Sequence, residues 1–325
     1  MKDSIPMFVL RTQEPDDLRL SAYAGLMSPQ AEVSPAFFYD ALGSHLFGAI
    51  TLLDEYPATR EELEIFSVAH EAIAKQLPTG CSLIDLGAAD CAKAARLFGS
   101  ILPTGYLAVD VSEAYLREAL ESLSERPGVP AVAGLVVDFS RGLPPNCLEG
   151  RVPGNGPRVF FYPGSSIGNF NPAQATDFLR GLIREHQAAA LIIGIDLIKP
   201  ARLLEAAYDD ALGVTAAFNL NVLRVLNRSV QTDFEPADWR HRARFNQEAS
   251  RVEMHLEARR DLEIRWPGGG RRFQAGQTLH TENAYKYTEA SFEALLNEAG
   301  FAVAACYRSR SGGFVEFVAH PATAA

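Results

Sequence analysis

The chain has 325 residues, of which 47% are hydrophobic and 22% charged, and a formal net charge of −10. That size allows one large or two modest globular domains with an ample core, and an acidic chain without clustered Lys and Arg excludes nucleic acid as the expected partner. Four widely spaced cysteines, Cys81, Cys91, Cys147 and Cys306, form no C-x-x-C pair, and with the seven histidines they compose no metal pattern, so free thiols and no metal are expected.

At the N-terminus Asp3, Arg11, Glu14, Asp16 and Asp17 leave no apolar core for a secretion signal. No run of about 18 apolar residues follows, and the expectation is a cytoplasmic protein with no membrane partner. Residues 1–30 are mixed and polar. From Pro35 the character changes, with Phe37, Phe38, Tyr39, Leu42, Leu46, Phe47 and Ile50 packing onto a core. Pro57 forces Tyr56 out of helical geometry, a position that suits a core or turn residue as well as a ligand contact. From Arg60 to Leu77 the spacing of Leu63, Ile65, Phe66, Ala69 and Ile73 predicts an amphipathic helix.

The stretch from Cys81 to Asp110 has the grammar of a nucleotide-binding β-α-β unit. An apolar run to Leu86 meets the small-residue turn Gly87-Ala88-Ala89. A helical pattern over Ala92 to Phe98 follows, and Tyr106 to Val109 lead into Asp110, 23 residues after Gly87. Glycine lets the backbone approach a ligand, and an acid at the next strand end can accept both ribose hydroxyls. The G-x-G-x-x-G fingerprint of pyrophosphate cofactors is missing, so a cofactor without a pyrophosphate, such as S-adenosylmethionine, fits better. Taken alone, the unit also suits a plain turn and a strand-end cap.

A helix with Ser112 as N-cap and a strand from Val129 to Val137 come next. They lead to Asp138 and Phe139, an acid for an exocyclic amine and a ring for stacking on adenine. Residues 140–157 read as a surface loop. After the strand Val159–Tyr162, the second small-residue turn holds Asn169, which can donate and accept toward an amino acid or form an Asx-type turn before Pro172. A helix over 173–186 and a strand over 189–195 complete the β-α alternation at Asp196. Helical patterns over Ala201–Ala211 and Ala216–Leu226 precede a strand-rich part with Val252, Met254, Leu256 and Ala258 alternating. A helix and the antiparallel pair Phe301–Tyr307 and Phe314–Val318 close the chain. The resulting division is a sheet domain over 61–196 and 286–325, and a second domain over 1–60 and 197–285.

Several longer stretches carry more information: F-Y-D-A-L-G-S-H-L-F (38–47), E-Y-P-A-T-R (55–60), S-S-I-G-N-F (165–170), A-Y-D-D-A-L-G-V-T-A-A-F-N-L-N-V-L (207–223) and H-T-E-N-A-Y-K-Y (280–287). With these, nearly the whole chain resembles the S-adenosylmethionine-dependent histidine Nα-methyltransferases of the ergothioneine pathway. The resemblance implies a class I methyltransferase (Rossmann-like) α/β sheet domain joined to an α+β substrate-binding domain. It implies trimethylation of the α-amino group of histidine to hercynine. Cofactor contacts fall by resemblance on Gly87, Lys93, Asp110, Asp138 and Phe139. Substrate contacts fall on Tyr56, Asn169, Tyr208, Met254, Glu282, Asn283 and Ala284, with Asn169 and Tyr208 on the carboxylate and Tyr56 and Glu282 on the imidazole. Tyr39 is the catalytic candidate, carrying the proton unless water does. A monomer acting on a small amino acid is expected.

Two departures stand out. Gly87-Ala88-Ala89 replaces a glycine-rich turn, and Ala284 replaces the family's usual serine, removing a hydroxyl that would meet the imidazole. The lost bond is worth about 1 to 3 kcal/mol if its partner stays unpaired, which opens another aromatic amino acid, such as a tryptophan derivative, as alternative substrate. A dehydrogenase using NAD is disfavoured by the missing glycines. A non-catalytic amino-acid sensor would keep the binding residues without turnover.

Overall fold

The computed structural model describes residues 5–10, 15–140 and 142–322; Asp3, Arg11 and Glu14 lie outside the described residues. The chain forms two compact units, one of Met1–Thr12, Ala58–Ile198 and Lys286–Ala325, the other of Gln13–Pro57 and Lys199–Tyr285.

The first unit is built on an eight-stranded sheet. From edge to edge the strands run Met7–Val9, Ala131–Val136, Gly105–Asp110, Ser82–Leu86, Arg158–Tyr162, Ala188–Asp196, Phe314–Pro321 and Phe301–Arg308. The first six are parallel; Phe314–Pro321 is antiparallel to both its neighbours, so Phe301–Arg308 at the edge runs in the same direction as the first six. Every residue of Ser82–Leu86 is buried, which is why this stretch reads as a continuous rather than an alternating apolar run. The chain winds outward from Ser82–Leu86 to one side, then returns and builds the other side from Arg158–Tyr162. This is the doubly wound arrangement that the resemblance implies. The reversal falls between those two strands, and sheets of this kind bind ligands in the crevice beyond the carboxyl ends there.

Some sequence expectations are corrected. Residues 1–60 do not all belong to the second unit, because Met7–Val9 pairs in parallel with Gly134–Val136. The Met7 thioether fills the place a side chain at Gly134 would need. Three strand residues are too few to show a period, and a short apolar run such as Ile5 to Leu10 does not by itself distinguish strand from helix. The helix expected from Arg60 begins at Pro57 and ends at Ala74, since proline fits a first turn where its missing N–H costs nothing. The helix expected over Ala92 to Phe98 is two short turns, Ala92–Ala95 and Phe98–Ile101. Ser112 occupies the N-cap position without a side-chain bond, and its own N–H donates to Asp110 Oδ1 at 3.0 Å. Residues 140–157 are not simply a surface loop, for Leu143, Cys147 and Leu148 are buried. Ser82 Oγ donates to the Pro153 carbonyl at 2.9 Å, which ties this segment to the start of a central strand.

The second unit has a four-stranded sheet in the order Ala31–Glu32, Thr278–Tyr285, Arg251–Ala258, Trp239–Asn246, and a separate hairpin, Leu262–Trp266 with Gly269–Phe273. Met254, Leu256 and Ala258, alternating along one strand, share a core with Phe218, Val222 and Leu226 from the helix Val214–Val230. The helix expected over Ala201–Ala211 stops at Tyr208, because Asp210 turns back to accept the N–H groups of Val214 at 3.0 Å and Thr215 at 2.7 Å and starts the next helix. Among the described residues no helix is long and apolar enough to cross a membrane.

Candidate active site

In the first unit, three sequence-selected positions stand at the carboxyl ends of neighbouring parallel strands: Gly87 after Ser82–Leu86, Asp110 ending Gly105–Asp110, and Asp138 two residues beyond Ala131–Val136. The Gly87 turn is stitched to the adjacent strand, with Gly87 N and Ala88 N donating to the Val109 carbonyl at 2.9 and 3.1 Å. Ala89 N donates to Asp110 Oδ2 at 3.0 Å. Gly87 has φ +75°, and a Cβ there would meet nothing within 4 Å. Glycine is required by the backbone, and the space beside the turn is open to a ligand. The open turn next to a carboxylate that already orders two backbone amides fits an adenosyl group and its ribose. Asp138 accepts Ser140 N at 2.9 Å. The half-buried Phe139 ring packs edge-on to Tyr162 and against Phe178, with centroids 6.2 Å away in both cases.

Lys93 leaves the short helix Ala92–Ala95 and places Nζ 2.5 Å from Glu62 Oε2. Glu62, fully buried on the helix Pro57–Ala74, accepts Gly164 N with its other oxygen at 2.6 Å. A second fully buried acid, Glu316, has no hydrogen-bond partner for either oxygen among the described residues. Burial, reinforced by the charge of Glu62, pushes its carboxyl well above the usual range.

Ser165, with φ +58°, opens the turn Ser166–Asn169 and is held by its hydroxyl, which accepts Asp196 N at 2.9 Å. The helix Pro172–Arg184 is capped by Asn171 through a reciprocal box with Gln174, so the Asx-type role falls to Asn171 rather than Asn169. No hydrogen bond of the Asn169 side chain occurs among the described residues.

The second unit gathers most remaining candidates on one sheet face. Glu282 pairs across the ladder with Met254 and Ala284 with Val252, and directly opposed residues project to the same side. All four are buried. Tyr208 packs against both Ala284's apolar cluster and the main core, and Tyr56 meets it edge-on with centroids 6.1 Å apart. Tyr39 packs edge-on to Phe47 and Phe218 at 6.0 and 5.9 Å. Asn283 pairs with Glu253, and its side chain leaves on the opposite face from Glu282 and Ala284.

A model of the family described as histidine-specific, S-adenosylmethionine-dependent methyltransferases matches residues 18–321. The chain belongs to this family. A histidine N-alpha-methyltransferase of Mycolicibacterium smegmatis is 34% identical over 96% of this chain and 97% of its own length. One from Mycobacterium tuberculosis is 32% identical over 91% of this chain and 92% of its own. Ergothioneine biosynthesis protein 1 of Schizosaccharomyces pombe is 25% identical over 89% of this chain and 39% of its own length.

In this histidine-specific methyltransferase, Asp85 is a buried acid inside the central strand Ser82–Leu86, where no spacing in the sequence marks it out. Tyr106 donates to its Oδ2 at 2.7 Å, while Oδ1 has no hydrogen-bond partner among the described residues. Burial pushes its carboxyl up to about 7, the Tyr106 bond and Lys93 pulling the other way. The folded protein therefore holds this proton more tightly than the unfolded chain. Stability from this group is present below the ordinary carboxylate range and is lost as pH rises toward 7. Asp85→Asn removes that share of the slope in denaturation midpoints measured between about pH 4 and 8, and an unchanged slope contradicts the assignment.

Proposed function

We propose that this protein methylates the α-amino group of histidine three times, giving hercynine for ergothioneine formation. The observation that carries this is the pairing of Glu282 and Met254 on one buried sheet face, with Ala284 and Tyr208 beside them. A buried carboxylate next to apolar and aromatic walls suits an imidazole N–H.

S-adenosylmethionine supplies a methyl group already activated by its sulfonium. The chain's residues have little covalent chemistry to do, and positioning is their main lever, worth about 7 to 11 kcal/mol for well-oriented reactants. Asp110 takes the ribose hydroxyls, Asp138 and Phe139 the adenine, and Gly87 and Lys93 the methionine end. Asn169 and Tyr208 hold the amino acid's carboxylate, away from the reacting nitrogen, and Tyr56 and Glu282 fix the ring. The Asn283 side chain, on the other face, is left out of this set. The amine reacts as a neutral group, and Tyr39 or a water takes the proton it sheds before each transfer.

Ala284 tests the substrate. Ala284→Ser restores a hydroxyl beside Glu282 and raises kcat/KM for histidine by about threefold to tenfold, within the range of one hydrogen bond. A panel of free amino acids, scored by methylated product, checks it. Preference for tryptophan, with no gain for histidine in the serine variant, overturns histidine as substrate.

A further inference from the structure

Glu62 ties together two loops that flank the reversal in the sheet. One oxygen meets Lys93, which follows the Gly87 turn, and the other accepts the Gly164 amide of the turn after Arg158–Tyr162. Glu62 reaches the sheet over Gly194, where an added Cβ would stand 2.5 Å from Glu62 Oε1, 2.8 Å from Glu316 Oε2 and 2.8 Å from the Phe314 ring. Only glycine leaves room for both acids at that point.

We propose that Glu62 is a positioning residue for the cofactor, fixing Lys93 Nζ and the Gly164 turn in the places where the methionine end of S-adenosylmethionine is bound. The proposal rests on the reading of Lys93 as a cofactor contact. An ammonium on a four-carbon stem is mobile unless an anion fixes it, and a fully buried carboxylate fixes it better than an exposed one because water does not compete. Two ionised acids this close and this deep would repel each other. Burial and the nearby charge of Glu62 push the Glu316 carboxyl well above the usual carboxylate range.

The test is calorimetric titration of the full chain with two probes, S-adenosylhomocysteine and adenosine, which lacks the methionine end. Glu62→Gln raises the dissociation constant for S-adenosylhomocysteine about tenfold and leaves that for adenosine within about twofold. Gly194→Ala, which displaces both acids, does the same. Combining Glu62→Gln with Lys93→Met weakens S-adenosylhomocysteine by less than the two single losses together, because part of the effect of Glu62 passes through Lys93. Equal losses for both probes, or additive losses in the double variant, show general damage and overturn the proposal. If Lys93→Met binds as the wild type does, the cofactor role of Lys93 fails and the proposal with it. If Lys93→Met weakens binding but Glu62→Gln does not, only the positioning role fails.

Discussion

Asp110→Ala is expected to raise the dissociation constant for S-adenosylhomocysteine by about 10²- to 10³-fold. The loss is that of two hydrogen bonds to a charged acceptor, about 1.5 to 3 kcal/mol each before relaxation. Its carboxylate already orders the Ala89 and Ser112 amides, beside the open space at the Gly87 turn. Those two amides lose their acceptor in the same variant, so the unliganded protein is destabilised by about 1 to 3 kcal/mol. Asp110→Asn separates the effects, since its remaining oxygen still accepts one amide while its NH₂ cannot accept a ribose hydroxyl. Calorimetric titration combined with denaturant unfolding reads both. Unchanged affinity removes Asp110 from the ribose.

Asn169→Ala is expected to lower kcat/KM for histidine by about 10- to 100-fold, the size of a hydrogen bond to a carboxylate. Affinity for S-adenosylhomocysteine stays where it was. Because Asn171 rather than Asn169 caps the following helix, the variant loses little stability, within about 0.5 kcal/mol. Asn169→Asp costs more, by setting a like charge against the substrate. Steady-state kinetics with histidine varied at saturating cofactor checks this, and equal losses toward both ligands contradict it.

The sheet of the first unit was legible because its strands, buried on both faces, leave long apolar runs closed by Gly87, Asp110 and Asp138. The same regularity hid Met7–Val9, which is too short to show a period. It also hid the burial of Leu143, Cys147 and Leu148, which lie among prolines and glycines and depend on a tertiary contact that no local pattern encodes. Trp239–Asn246 carries a legible strand signal, since Arg240, Arg242 and Arg244 alternate with period two. For the site, strand-end residues followed from the β-α-β grammar alone. Tyr39 and Glu282 did not, since each looks like an ordinary core or strand residue and only the long family stretches single them out, and Met254, outside those stretches, followed only from the resemblance as a whole. Glu62 and Glu316 were invisible for a different reason: they are 254 positions apart in the sequence and meet only over Gly194.

The central claim is that the cofactor's methyl group goes to the α-nitrogen of histidine, and tandem mass spectrometry of the product tests it most directly. With histidine and S-adenosylmethionine the protein yields histidine carrying three added methyl groups, all on fragments that keep the α-nitrogen. Methyl groups on the imidazole, or histidine returned unmodified while another aromatic amino acid is methylated, would contradict it.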